Sequence, residues 1–337
     1  MISYRFPSIF ERHNSELDNV SNDLINGLKI YLNGESYIIG NLALSEGKSP
    51  SKNINSAPDD LDYNLFLYSG LLLANFDNNK PIHLTTGFPF STHKINRDIA
   101  KTVIKGKHII DYDASTFSSE SKQSTSVEIA EVEILPEMLG NITALRKGDA
   151  KIDGDFFVVS LGYGTFEAVL STTNGIVQRT AVSTSGLQYA IDIFMKELEK
   201  THYLGLKTKN QIDAAFQNDY VFLNRKRLDI RNLKKNILKS YYQDIISPML
   251  LSAFTDTDFS KAKSLYITGG GALYRDLVNC FVEEFSDIIN TEVVKNPLTL
   301  ASKGYYINSL ENIRNGQIAV GLDIGNSNTV LTQGETL

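Results

Sequence analysis

Two stretches of this chain repeat one device: an apolar strand runs into a glycine-containing turn and returns as a second strand. Val158-Val-Ser-Leu-Gly-Tyr-Gly164 joins the strand expected over Phe156–Ser160 to one over Phe166–Ser171. Val320-Gly-Leu-Asp-Ile-Gly-Asn326 joins Gln317–Ile324 to Thr329–Thr332. Continuous apolar runs of this length fit strands buried on both faces. Around them strands and helices alternate in two sets, one ending near residue 150 and one beginning there, which is the pattern of α/β sheets covered by helices. A chain of 337 residues is long enough for two such lobes.

The other elements follow from spacing and turn chemistry. Leu28–Leu32 and Ser36–Ile39 flank Asn33-Gly34, a hairpin signal. Residues 53–60 are polar, contain Pro58 and read as loop. Leu61, Leu65, Tyr68, Leu72 and Leu73 recur at helical spacing over 60–75. A short strand, Ile82–Thr86, ends in Gly87-Phe88-Pro89. Residues 111–123 read as irregular, and Val127–Leu135 as a strand running into a helix at Pro136-Glu137. Ile176–Val182 reads as a third strand of the central meander. Ser183–Gly186 reads as a hydroxyl-capped start for a helix over Leu187–Leu198. A long helix is expected over Leu228–Ala253, then a strand at Leu265–Thr268 and helices at Leu273–Phe285 and Leu298–Leu310.

Composition narrows the function. Hydrophobic residues are 42% and charged residues 21% of the chain, ordinary for a globular protein. A net charge of -6 argues against a free-standing binder of DNA or anionic membrane. Leu65–Ala74 is too short and too interrupted to span a bilayer. Met1–Phe10 lacks the apolar core of a signal peptide. The single cysteine, Cys280, excludes an intrachain disulfide and fits a reducing, cytoplasmic setting. The five histidines have no metal-ligand spacing.

Four pieces carry candidate chemistry. In Asp323-Ile-Gly325-Asn326-Ser327-Asn328-Thr329 the turn offers backbone N–H groups and small polar side chains to phosphate oxygens. Asp323, at the strand end, is placed to hold a water of a phosphate-bound Mg²⁺. Ser160-Leu-Gly162-Tyr163-Gly164-Thr165 repeats the device. Gly269-Gly270-Gly271-Ala272 links a strand to a helix, where bare backbone can lie against a flat ring. Glu137, at a helix start, could orient a water for attack on a terminal phosphate. Each has an ordinary counterpart: a hairpin turn, a tight strand-to-helix turn, a dipole-stabilising acid.

Taken together these residues resemble the actin-like ATPase family, in particular the ParM-type plasmid-segregation actins and archaeal actins. Phe6-Pro7-Ser8, the Asn33-Gly34 hairpin with Ile39-Gly40, Thr86–Pro89, Leu135-Pro136-Glu137, the second turn, Gly269–Ala272 and Ala301-Ser-Lys-Gly-Tyr-Tyr306 occur in that family's order. Asp323–Thr329 opens the chain in the family and closes it here. The resemblance therefore implies a two-lobed, ribonuclease H-like α/β fold, circularly permuted, with the old termini joined through Glu311–Gly316. It implies one domain of residues 1–150 plus 302–337, a second of 151–301, and nucleotide (ATP or GTP, with Mg²⁺) in the cleft between them.

By resemblance, Asp323, Gly325, Asn326, Ser327 and Asn328 form the first phosphate loop, with Asp323 serving Mg²⁺ through water. Ser160, Gly162, Tyr163, Gly164 and Thr165 form the second. Gly269–Ala272 face base and sugar, and Glu137 positions the hydrolytic water. The implied activity is slow nucleoside triphosphate hydrolysis with assembly of copies into cytoskeletal filaments, serving plasmid segregation through a DNA-binding adaptor, with no direct contact to nucleic acid or membrane. Two departures weaken it: Ser160 stands where the family usually has aspartate, and Val330 where it usually has lysine. Both leave open a non-polymerising, weakly hydrolysing nucleotide-binding regulator. A small-molecule kinase of the same superfamily lacks a visible sugar-binding carboxylate set. A DnaK-type chaperone lacks length for a peptide-binding domain. A serine-hydrolase elbow fails because Val158 stands where glycine is needed. Seven basic residues between Arg225 and Lys239 read as a solvated helix face, with a subunit contact or nucleotide-facing lysine as the sharper alternative.

Overall fold

The computed structural model describes residues 1–52, 54–75, 80–204 and 208–335. Asn53 of the expected loop and the last two residues of the expected 302–337 segment lie outside them. The chain divides into two compact units: Met1–Ile152 with Thr299–Leu337, and Asp153–Leu298.

The first unit holds β1 (Ile2–Pro7), β2 (Phe10–Arg12), β3 (Lys29–Leu32), β4 (Glu35–Ile39), α1 (Asn41–Glu46), α2 (Leu61–Asn75), β5 (Ile82–Phe88), α3 (Phe90–Ile104), β6 (Gly106–Asp113), β7 (Lys122–Pro136) and α4 (Glu137–Lys147). After the second unit the chain returns with α11 (Leu300–Asn312), β16 (Ile318–Ile324) and β17 (Asn328–Gln333). Nine strands form one sheet in the order β1-β17-β16-β5-β7-β6-β3-β4-β2. The C-terminal hairpin thus lies between β1 and β5. β17 is antiparallel to both β1 and β16. β16, β5 and β7 run parallel, so their carboxyl ends share one edge of the sheet.

Two adjacent residues of β16 show how the faces are filled. Leu322 is fully buried and lies against Gly70 of α2; burying such a side chain stabilises by about 2 kcal/mol. Gly321 faces the other way, where a Cβ would overlap the α11 backbone at Ser302 and Tyr306. Helix α11 is tied to the hairpin by Ser302 Oγ with Thr332 Oγ1 (2.9 Å) and by Ser309 Oγ donating to Val320 O (2.8 Å). Helices α11 and α4 cross at Gly140 and Gly304, and a Cβ on Gly304 would overlap the Gly140 carbonyl. This close crossing fixes the helix that begins at Glu137.

The second unit holds β8 (Phe156–Leu161), β9 (Thr165–Thr172), β10 (Gly175–Ile176), β11 (Val182–Ser185), α5 (Leu187–Glu199), α6 (Lys209–Asn218), β12 (Tyr220–Leu223), β13 (Lys226–Asp229), α7 (Arg231–Tyr241), α8 (Ser247–Ala253), α9 (Asp256–Lys261), β14 (Ser264–Thr268), α10 (Arg275–Phe285) and β15 (Asn290–Val293). Its main sheet runs β10-β9-β8-β14-β15, with β11 also pairing β9. Every residue of β8 is buried, as its unbroken apolar run requires. β8, β14 and β15 are parallel. Phe157, Phe166, Phe194, Phe216 and Phe281 fill the core against this sheet.

Several expectations change. The region read as one strand over Ile176–Val182 is β10, a 3₁₀ turn at Gln178–Thr180, and β11. Ser183–Ser185 are therefore strand, not helix caps. The helix expected from Leu228 starts at Arg231 and continues through a π turn at Tyr242–Ile246 into α8. Residues 220–229 form a hairpin, because Asn224 and Arg225 both take positive φ (49° and 64°), the geometry of a tight hairpin turn. Residues 111–123 are not irregular throughout: β6 and β7 pair from Gly106↔Ile129 to Asp113↔Lys122. Among the described residues, no helix is long and apolar enough to cross a membrane.

Candidate functional site

One pocket of the first unit opens at the carboxyl ends of its three parallel strands, where α/β sheets place ligands. Asp323, Ile324, Gly325 and Asn326 come from the end of β16, Gly87, Phe88 and Pro89 from the end of β5, and Glu137 follows β7. The wall is completed by Ser8 after β1, Asn55 and Ser56 of the loop before α2, Asp62, Tyr63 and Phe66 of α2, and Thr92 and Asn96 of α3.

The turn between β16 and β17 is closed by Gly325 N–H donating to Asn328 O (3.1 Å). Ser8 braces it twice: its N–H donates to Ser327 O (3.0 Å), and its hydroxyl meets Thr329 Oγ1 at 3.0 Å. Asn55 clasps it from the other side. Asn55 N–H donates to Asn326 Oδ1 (2.6 Å), and Asn326 Nδ2 donates to Asn55 Oδ1 (3.0 Å). Asn55 takes a positive φ of 53°, which asparagine tolerates better than most residues. Tyr63 stacks on Phe88, ring centroids 5.7 Å apart and planes at 17°, so the first turn of α2 is seated on the end of β5.

The electrostatics of the pocket are dominated by burial. Burial pushes the Asp323 carboxyl well above the usual carboxylate range, and the Glu137 charge adds to the shift. Burial likewise pushes the Tyr63 phenol up, with the Thr86 hydroxyl acting against the shift and the Asp323 charge adding to it. Two carboxylates sharing a pocket repel unless a cation sits between them. That donor set fits Mg²⁺. Among the described residues, no three acidic, histidine or cysteine side chains come together closely enough to hold a metal directly. The fit is therefore to an ion that keeps its waters, as Mg²⁺ does.

In the second unit Ser160 and Thr268 are register partners on β8 and β14, so both glycine turns leave the same edge of its sheet. The carbonyls of the turn at Gly162–Gly164 are spent on structure. Those of Gly162, Tyr163 and Gly164 accept from the N–H groups of Leu187, Gln188 and Gly186 (3.0, 2.8 and 3.0 Å), capping α5 in place of the expected hydroxyls. Tyr163 Oη donates to the buried Asp213, 2.8 Å from each carboxylate oxygen. The three glycines after β14 also differ. Gly269 has a φ of 83° and its Cβ would meet the Leu161 backbone at 2.8 Å; a Cβ on Gly271 would meet Leu161 Cβ at 2.6 Å. Gly270 has its nearest neighbour, Leu298 Cδ2, at 3.8 Å, and so is the one of the three with a free face. Of the basic run, Lys234 is buried, donating to Phe216 O (3.0 Å) and paired with Asp219.

Asp323, Gly325, Asn326 and Glu137 thus meet in one pocket, and Ser160 to Thr165 lie beside Gly269 to Ala272 in the second unit. Sequence reasoning missed Asn55, Asp62, Thr92 and Asn96. Asp62 carried only the signal of a first-turn helix acid, which is commonplace.

Residues 1–140 match the family model of the actin-like proteins N-terminal domain. The chain carries an actin-like N-terminal domain and an actin-like fold. Solved structures similar to this chain include a non-polymerisable quadruple mutant of pCBH ParM (18% identical, 91% of each chain covered, TM-score 0.73). A 15-stranded ParM filament from Clostridium botulinum is 16% identical over 91% of this chain and 92% of that one (TM-score 0.72). The archaeal actin homologue Ta0583 in complex with ADP is 16% identical over the same shares (TM-score 0.66). No curated protein matches the sequence significantly.

Proposed function

We propose that this actin-like chain binds a nucleoside triphosphate with Mg²⁺, hydrolyses it slowly and assembles with copies of itself into filaments. The observation that carries the reading is the meeting of Asp323 and Glu137 in the pocket beside the turn Gly325–Asn328. A Mg²⁺ ion bound there would neutralise phosphate charge. Asp323 would hold one of its waters, the N–H and amide groups of Gly325, Asn326, Ser327 and Asn328 would receive phosphate oxygens, and Glu137 would orient the attacking water. Within the second unit, the residues we assign to nucleotide are Ser160, Gly162, Tyr163, Gly164 and Thr165 for phosphate and Gly269–Ala272 for base and sugar, with Gly270 offering the free face. The ADP complex of Ta0583 and the ParM filament support nucleotide and self-assembly respectively. Cytoplasmic plasmid-DNA segregation through an adaptor is the cellular role that accords with this reading.

The element order is read as a circular permutation. Its support is the C-terminal hairpin seated between β1 and β5, with the Met1 amino group 3.2 Å from Glu335 Oε1. A chain joined there by a short linker and opened within 313–317 should fold to the same stability.

One observation favours the non-polymerising regulator: position 330, opposite Asp323, is a buried valine and carries no cation of its own. Pelleting and phosphate-release assays with ATP or GTP and Mg²⁺ separate the two. Nucleotide-dependent sedimentation with release lost in Asp323→Ala supports the filament reading. Nucleotide binding without sedimentation at any protein concentration supports the regulator.

A further inference from the structure

Within the same pocket one acid has no role in the reading above. Asp62, in the first turn of α2, is 1% exposed. Its Oδ2 accepts from the Ser56 hydroxyl, while its Oδ1 is buried with no hydrogen-bond partner among the described residues. A buried carboxylate oxygen without a donor calls for a water or an ion that completes it. Asp62 lines the pocket with Asp323 and Glu137, and its neighbour Tyr63 feels the Asp323 charge. Three acids therefore line one pocket, yet no three stand close enough to ligate a metal directly.

We infer that Asp62 is a third carboxylate of the cation site, its free oxygen accepting a hydrogen bond from a water of a hydrated divalent ion. The inference rests on the reading of this pocket as a Mg²⁺-nucleotide site, and it assigns the ion's outer contacts. Asp323 and Asp62 approach from the end of β16 and the start of α2. Ser56 holds the second oxygen of Asp62 and so orients the first. The loop that carries Ser56 also carries Asn55, whose clasp on Asn326 joins the Asp62 wall to the phosphate turn. The site is built for a hydrated ion of Mg²⁺ or Mn²⁺ type, held through water by side chains of one unit.

The test is a titration of Mn²⁺ into the full chain, with and without ADP, followed by loss of the free-ion paramagnetic signal. Asp62→Asn preserves size and an acceptor for Ser56. It should weaken Mn²⁺ about tenfold, the usual effect of losing an outer-shell partner, with ADP affinity in EDTA and the urea midpoint unchanged. Wild-type Mn²⁺ affinity in folded Asp62→Asn overturns the assignment, as does a wild-type chain that binds no Mn²⁺. Should the variant not fold, the wild type decides: bound Mn²⁺ should broaden the amide resonances of Ser56, Asp62 and Tyr63, and sharp resonances at saturation overturn the proposal. A chain whose Mn²⁺ affinity depends on Asp62 but which binds neither ADP nor ATP keeps the cation site and loses the nucleotide reading. Nucleotide binding with Mn²⁺ indifferent to Asp62 does the reverse.

Discussion

Asp258 of the second unit and Asp323 of the first are both strand- or helix-end acids, yet their surroundings drive them in opposite directions. Asp258 receives Arg179 through both oxygens (2.5 and 2.9 Å) and caps α9 by accepting from Thr255 N–H (2.9 Å) and Thr255 Oγ1 (2.8 Å). The Arg179 guanidinium leads the shift that holds its carboxyl down at about 2. Asp323 is raised by burial and faces Glu137 instead of a cation. A carboxylate paired by its own chain is finished structure. A carboxylate whose charge is disfavoured by burial, at the carboxyl ends of parallel strands and lining a pocket, is a candidate for ligand binding. The two glycine turns differ in the same way. The second unit's turn spends its carbonyls on α5, whereas the first unit's turn is braced by side chains and opens on a pocket.

Four experiments test this contrast. The largest effect is expected at Gly269, where positive φ and contact with the Leu161 backbone leave no room for a Cβ. Gly269→Ala should cost about 3 kcal/mol of unfolding free energy by urea titration, while Gly270→Ala stays within about 0.5 kcal/mol. Equal losses would show that the turn is not packed as described. Next, Asp258→Ala should cost about 1–2 kcal/mol through the lost cap of α9, with no change in Mg²⁺ affinity.

The third experiment concerns pH. Asp258 is depressed on folding, so its contribution is full above the ordinary carboxylate range and is lost as pH falls toward 2. Asp323 is raised, so the folded state holds its proton more tightly than the unfolded chain does, and its cost grows as pH rises through the raised value. Without ligand, Asp323→Asn should therefore gain stability over wild type as pH rises. Asp258→Asn should lose its deficit as pH falls toward 2. Parallel curves for all three proteins would remove the electrostatic contrast. The smallest effect belongs to Asn55→Ala, which removes one half of an exposed clasp and should cost about 0.5 kcal/mol. Its readout is the side-chain amide resonance of Asn326, which should move if the clasp exists in solution.

What could be read from the sequence divides along physical lines. Unbroken apolar runs such as Phe156–Ser160, and glycine turns after them, announce buried strands and their carboxyl ends without tertiary help. Helix α3 stayed hidden because Ile95 and Ile99 point outward while Asn96 is buried, so its apolar periodicity misstates its inner face. The hairpin at 220–229 stayed hidden because its turn is Asn224-Arg225 rather than Asn-Gly, and its basic residues imitate a solvated helix. Of the site, Asp323, Asn326 and Glu137 sit in recognisable turns or helix starts. Asn55 and Asp62 do not: Asn55 takes its meaning from Asn326, 271 residues away, and Asp62 from the pocket it lines, and no local pattern records either.

The most direct test is calorimetric titration of ATP into the full chain, with and without MgCl₂, for wild type and Asp323→Asn. Binding should tighten with Mg²⁺ in the wild type, and that gain should vanish in the variant. Absence of binding, or binding that ignores both Mg²⁺ and Asp323, would contradict the nucleotide reading.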